Sequence, residues 1–479
     1  MKKLESIIFY LFIFSIPIQS RLILHGWTHP FNQWTSTYLY GTDVILAAIF
    51  IFWLIRSLEA TKISNLKFLI FKQIPTPRSK ILGSASFWLS TFFIISAISI
   101  FNAQIVGLSL YQLLKLAEFI GVYFYLVRSQ TPLVSADAPV AHRTSNGVYL
   151  KSSFGRIFNF QSVLAVIIVS GLFQAVVGIV QYIKQGSLGL RLLGESPLSV
   201  NATGVAVFFA DGIKYLRAYG TTPHPNILAA WLFVAVFAFY FWYLYLKDRR
   251  SDSIRYEIMP LLIYTILLFG LFFTFSRVII GLWAVGVLIG VLIFILRKDF
   301  NNASGKIKSR IFKLAIGSLV VVGIFSLLFW PQIKSRIHVS SQEEAVTQRV
   351  YYNKVAGEFI GEHLMLGMGV GQFIPNMIMK FSYLPSQAYQ PVHNIYLLVV
   401  GETGFLGLVA FIGFVVIIFW GFVGRTRFAK LYHYSFFILA SSFLVVGFFD
   451  HFLWTSQQGG FIFWIILGFL TNGIEVERL

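Results

Sequence analysis

The sequence contains no cysteine, which excludes disulfides, thiolate nucleophiles and Cys-ligated metal sites. Charge is scarce too. Asp, Glu, Lys and Arg make up only 12% of the residues, and acids number 19 against 38 cations. No fixed-period repeat occurs, so a solenoid array is excluded, and the two halves show no matched pair of broken helices of the kind that marks many transporters. Met1-Lys2-Lys3 precedes an apolar run as in a signal peptide, but no small-x-small cleavage site follows and the run is long. It is read as a retained helix. What the chain has in abundance is apolar surface: 57% of its 479 residues are hydrophobic, and the mean hydropathy is +0.75. That composition describes an integral membrane protein, not a string of soluble domains. A net charge of +19 would suggest nucleic acid as the partner of a soluble chain; in a membrane protein it reports topology, and no nucleic-acid partner is expected.

A spanning helix needs about 20 mostly apolar residues. Such windows lie near 4–24, 43–58, 81–101, 105–127, 160–183, 226–246, 258–276, 277–296, 312–330, 395–420, 435–450 and 460–474. The reading is an all-α polytopic membrane protein of about twelve transmembrane helices, with 1–479 as a single integral membrane domain. The pair meeting at Ser276-Arg277 could equally be one re-entrant element. Alternating the spans from an inside N-terminus collects most of the 38 Lys and Arg on one side, as the positive-inside rule requires. Both termini are therefore expected in the cytoplasm. A first extracytoplasmic loop, 184–225, and a large one, 331–394, are expected on the outer side, while 128–159 reads as a polar cytoplasmic linker without a chemical motif.

The outer side holds the informative residues. Arg217-Ala-Tyr-Gly220-Thr-Thr-Pro223-His224-Pro225-Asn226 stands directly before an apolar run. Prolines hold the preceding residues extended, and Pro225 or Asn226 suits a helix start. A helix entry leaves Arg217 unexplained, and His224 is open between an acceptor contact and a helix-entry role. Thr274-Phe-Ser276-Arg277 places a cation between two apolar windows. A guanidinium at membrane depth costs about 2.5–3.5 kcal/mol, so Arg277 either snorkels to the interface or meets an anion; with no acid nearby in sequence, an anionic ligand is the sharper reading.

The loop 331–394 has aromatic and apolar content unlike a disordered linker. From Gln348-Arg349-Val-Tyr351-Tyr352 through Val355, Phe359 and Ile360 it reads as an amphipathic helix at the membrane interface. Arg349 is either a further anion contact or a surface cation on that helix. Gly367-x-Gly369-x-Gly371 follows; no strand precedes it, so a tight turn is favoured over a nucleotide loop. The loop ends at His393-Asn394, where the chain enters a span. Glu402 lies nine residues on, about 12 Å deeper if helical and on the opposite face, which suits a buried packing or hydrogen-bonding acid better than an orienting partner for His393. Lys115 and Glu118, spaced i,i+3 in one span, read as a self-neutralising structural pair. His25 and His29 lack a third ligand, so no metal site is expected. No Asp-x-Asp motif occurs in an outward loop, so metal handling of a pyrophosphate is not indicated.

In order and placement these motifs resemble those of the O-antigen ligase and O-antigen polymerase family of bacterial envelope glycosyltransferases. The resemblance rests on Arg217-x-x-Gly220 with His224-Pro225-Asn226, Ser276-Arg277, Gly367-x-Gly369-x-Gly371-x-Phe373, and His393-Asn394 followed by Glu402-x-Gly404, and covers about 215–410. It implies a transferase, independent of metals and cofactors, in the bacterial inner (plasma) membrane among membrane lipids. Such an enzyme moves a glycan from an undecaprenyl-pyrophosphate-linked donor to a glycan, lipid or protein acceptor at the periplasmic or outer face. His393 would be the catalytic base, Arg217 and Arg277 the pyrophosphate clamp, Arg349 and His224 additional contacts, and Asn394 and Glu402 structural support. Acceptor choice is expected in 331–392, with sugar-stacking surfaces within 374–392. The rival reading is a transporter or flippase of a lipid-linked anionic glycan.

Overall fold

The computed structural model describes residues 1–64, 77–129, 143–144, 147–148, 157–246, 254–296, 305–337, 344–423 and 431–472. Most of the expected cytoplasmic linker 128–159 and the tail from 473 lie outside the described residues. Each apolar window falls on a helix, but the helices differ in reach. Among the described residues seven, within 41–58, 81–102, 106–129, 160–184, 225–244, 305–328 and 395–423, are long and apolar enough to cross a membrane, and four shorter apolar helices accompany them. Leading windows divide differently. The helix Lys2–Ser15 stops before Pro17, and strand Arg21–Gly26 takes what was expected to be the rest of a helix. Fourteen residues at about 1.5 Å each reach about 21 Å, less than a bilayer core of about 30 Å. The result is a polytopic helical bundle whose helices differ in length.

The helix Pro225–Phe241 is apolar on every side, as a helix surrounded by others should be, and 83% of its spanning window is buried. It packs against Phe160–Lys184 and Ile254–Phe273, while Ile395–Val423 lies along Pro77–Ser99 and Gln457–Asn472 along Val106–Ser129. The windows meeting at Ser276-Arg277 are two helices, Ile254–Phe273 and Arg277–Leu296, joined by a turn in which Phe275 has φ +47°.

The loops are built structures. In 184–225 the strands Val207–Ala210 and Ile213–Leu216 pair antiparallel across Asp211-Gly212, both at positive φ, the backbone that a two-residue hairpin turn demands. Between 330 and 394 lie the helices Trp330–Ile337, Glu344–Glu362 and Phe373–Lys380. The amphipathic helix expected from residue 348 is Glu344–Glu362. Its apolar face, Tyr352, Val355, Ala356 and Phe359, is covered by Phe373, Ile374, Met377 and Val392, so protein, not a bare interface, receives it.

Candidate active site

Two glutamines of the helix Phe160–Lys184 shape the approach to residue 226. Gln174 Oε1 accepts from Thr221 N–H at 2.8 Å, and its Nε2 donates to Thr221 Oγ1 at 2.8 Å. Gln181 Oε1 accepts from the N–H groups of Tyr219 and Gly220 at 3.1 and 2.8 Å, while Nε2 donates to the Gly220 carbonyl and to Glu195. Gly220 has φ +61°, and a Cβ there would overlap Gln174. The next helix begins at Pro225 with His224 as N-cap, its Nδ1 accepting from Asn226 N–H at 3.2 Å. Helix entry is thus the role the structure shows for His224, and it leaves the other ring nitrogen for further contacts.

Asn226 does more than begin a helix. Its Oδ1 accepts from Arg217 Nη2 at 2.7 Å and its Nδ2 donates to Asp450 Oδ2 at 2.6 Å. One amide thereby joins a buried guanidinium to a buried carboxylate. Arg217 Nε also donates to the Thr274 carbonyl at 2.6 Å. Asp450 Oδ1 accepts from His451 N–H at 2.8 Å and Phe452 N–H at 3.3 Å, which fixes the turn between Leu431–Val446 and Phe452–Thr455.

His393 stands against this turn. Its ring meets that of His451 edge-on at 5.0 Å between centroids and lies nearly parallel to Tyr352 at 6.1 Å. Asn394 caps the following helix, its Oδ1 accepting from the N–H groups of Tyr396 and Leu397, so the residue beside the candidate base is a structural anchor. His393 Nδ1 is buried with no hydrogen-bond partner among the described residues.

Burial pushes all three imidazoles toward neutrality. It holds His393 below the ordinary histidine range, Arg349 adding to the effect while Asp450 and the Pro391 carbonyl oppose it. Burial, with Arg217 and His393 against Asp450, brings His224 down to about 4; burial and His393, again opposed by Asp450, bring His451 down to about 3. For Asp450 burial acts upward, but His451, His393, His224 and Asn226 outweigh it and keep the carboxyl below its usual value. Arg217 is pushed down to about 9 by burial and Arg336, with Arg277 adding to them and Tyr219 and Asp450 opposing. It remains a cation at neutral pH. Arg277 Nη1 approaches the Arg336 carbonyl at 3.5 Å, so Arg217, Arg277 and Arg336 share one electrostatic neighbourhood.

The Gly367–Gly371 turn braces the site from the other side. All three glycines have positive φ, and the helix Ile395–Val423 is interrupted at Gly404 with φ +73° and ψ 179°. Backbone groups freed there are taken up by the turn: Met368 N–H donates to the Gly401 carbonyl, Gly369 N–H to the Glu402 carbonyl, and Phe405 N–H to the Leu364 carbonyl, at 2.9, 3.0 and 2.8 Å. Irregular backbone within a spanning helix survives only where protein covers it. Glu402 is buried and accepts from Trp454 Nε1 at 2.9 Å, a hydrogen-bonding acid and not a partner of His393.

A cavity of about 620 Å³ opens between these elements. His224, His393, Glu402, Asp450 and His451 line it, with Trp34, Tyr389 and Trp454. Arg217 sits behind Asn226; neither Arg217, Arg277, Arg349 nor Asn394 is among the lining residues. Of the expected stacking residues in 374–392, Tyr389 and Pro391 face the cavity, whereas Tyr383 is 78% exposed. Lys115 has a partner the i,i+3 pairing did not reveal: Asp43 Oδ2 at 2.5 Å, nearer than Glu118 at 3.1 Å. His25 lies on a strand and His29 in the loop after it, so they share no helix face. Among the described residues no group of three or more His, Cys, Asp or Glu is arranged to hold a metal ion.

Asp450, His451, Arg336 and the bridging role of Asn226 escape a reading by motif. Asp450-His451, polar residues in the short gap between two apolar windows, give the same kind of signal as Ser276-Arg277 and could have been found by it. Residues 262–412 match the family model described as O-antigen ligase. This stretch carries Arg277, Arg349, the glycine turn, His393 and Glu402, and leaves Arg217, Asn226 and Asp450 to the rest of the fold. No curated protein sequence matches the chain. The apolar helices make the chain a multi-pass membrane protein, and its segment 262–412 is similar to the O-antigen ligase family.

Proposed function

We propose that the protein transfers or polymerises a glycan from an undecaprenyl-pyrophosphate-linked donor onto an acceptor hydroxyl at the outer face of the bacterial inner membrane, without a metal. The observation that carries this reading is His393: an imidazole that burial holds toward neutrality, on the wall of a large cavity, in the field of the Asp450 carboxylate and near a group of guanidiniums. His393 takes the proton of the acceptor hydroxyl as its oxygen attacks the anomeric carbon. The bond from that carbon to the phosphate oxygen breaks, and the carrier pyrophosphate leaves with the electron pair. Asp450 stabilises the imidazolium that forms. Arg277 meets the leaving charge, Arg349 is a second candidate contact, and Arg217, held at two of its nitrogens, serves as a fixed cation of the same field. His224 is available to the acceptor through its uncapped edge.

The rival transporter reading is less well supported, because a carrier's essential charges usually lie at mid-membrane in broken helices, whereas these residues lie at helix ends and in loops. The test is a purified-protein assay with a lipid-linked oligosaccharide, scoring released carrier pyrophosphate and extended glycan. His393→Ala should lower transfer by about 10²–10⁴-fold, Arg277→Lys should be poorly tolerated because Lys lacks the planar fork, and strong chelation should leave the rate unchanged. Full transfer by a well-folded His393→Ala protein removes the base; movement of the lipid without transfer favours the carrier.

A further inference from the structure

The cavity has a second wall that the proposed chemistry does not use. Tyr38, Tyr40, Tyr111, Lys115, Gln457 and Gln458 form it, all of them outside the matched segment 262–412. Lys115 is held by Asp43 and Glu118 and lies 5.4 and 5.5 Å from the ring centres of Tyr40 and Tyr111. Gln457 Nε2 donates to the same Asp43 carboxylate. The ammonium is therefore neutralised twice over and offers little to a phosphate. Arg21, also on this wall, lies 4.2 Å over the Tyr38 ring.

Gln458 is the unsatisfied member. It is 1% exposed, it lines the cavity, and its Nε2 has no hydrogen-bond partner among the described residues. Buried polar groups in native proteins are almost always paired, so an unpaired donor on a residue of the cavity wall points to a ligand that accepts from it. An acyl chain would leave that donor unmet. Phenol faces with neutral amide donors and acceptors instead match a sugar ring, which offers C–H faces for stacking and hydroxyls for hydrogen bonding. The cavity lies within the range of about 300–1,000 Å³ usual for small-molecule sites.

We propose that this wall is a saccharide subsite that holds the glycan unit presented to His393, so that recognition is built by chain segments outside the matched domain. The idea rests on the transferase reading for the identity of the glycan, but not for binding itself. The test uses the full-length protein in a neutral, non-glycosidic detergent and saturation-transfer NMR with free disaccharides: neutral, N-acetylated and uronic-acid types, and inorganic pyrophosphate for comparison. At least one disaccharide is expected to bind. Gln458→Leu should weaken it about tenfold, the effect of one lost hydrogen bond to a buried donor. Tyr40→Phe, which removes a single hydroxyl, should weaken it less. Binding by none of the disaccharides, or equal binding by folded Gln458→Leu and Tyr40→Phe proteins, overturns the subsite. Saccharide binding without any glycan transfer keeps the subsite and overturns the transferase reading, so the two fail separately.

Discussion

Acid should destabilise this protein through the turn that carries Asp450 and His451. His224 and His451 have native values of about 4 and about 3, against about 6.5 for a histidine in an unfolded chain. Below pH 6.5 the unfolded chain therefore binds more protons than the native one, and stability falls as pH falls. At pH 5 the pH lies about 1.5 units below the unfolded value while both histidines are still neutral in the fold, a cost of about 2 kcal/mol each and about 4 kcal/mol together. His393, shifted in the same direction, adds to this loss. Asp450, held below its usual value, contributes only at more acid pH. The assay is the unfolding midpoint followed by tryptophan fluorescence in a non-ionic detergent between pH 7.5 and 5. His224→Asn retains a capping side chain, and His451→Asn retains a hydrogen-bonding group toward Thr455, its partner at 2.6 Å. Each substitution should remove about half of the acid-induced drop assigned to the pair. A drop of the same size in the double variant would refute the reasoning, as would a midpoint that does not move between pH 7.5 and 5.

Two other substitutions probe the scaffold. Asn226→Leu removes charge-assisted bonds to Arg217 and Asp450 worth about 1.5–3 kcal/mol each; both the unfolding midpoint and glycan transfer should fall, and an unchanged midpoint would show that the bridge contributes nothing. Gly404→Ala forces a side chain into a backbone region open to glycine and toward the Met365 carbonyl, at a cost of about 1–3 kcal/mol in backbone strain. Limited proteolysis should then cut the 363–371 turn faster, and equal protection would mean that the turn does not depend on the kink.

Much of the local architecture was legible in the residues. Every apolar window after the first became helical over most of its length because its backbone hydrogen bonds close within the segment whatever the neighbours do. Pro225 after His224, Asn394 before Ile395 and the three glycines at 367–371 behaved as local chemistry requires, since caps and positive-φ turns depend on a few adjacent residues. The first window misled because apolar content does not reveal where Pro17 ends a helix. The i,i+3 pairing of Lys115 with Glu118 was correct but incomplete, because Asp43 comes from another helix.

What the sequence by itself determined is the solvent of this protein and the order of its helices: apolar runs with few charges have no stable place but a membrane. It also identified His393, Arg217 and Arg277 as residues needing an explanation. Only the tertiary structure decided what surrounds them. Asn226 and Asp450 are 224 positions apart, and no periodicity relates them. Their contact exists because the helix Pro225–Phe241 is buried in the bundle near the turn after Leu431–Val446, and a buried carboxylate must find its donors wherever packing places them.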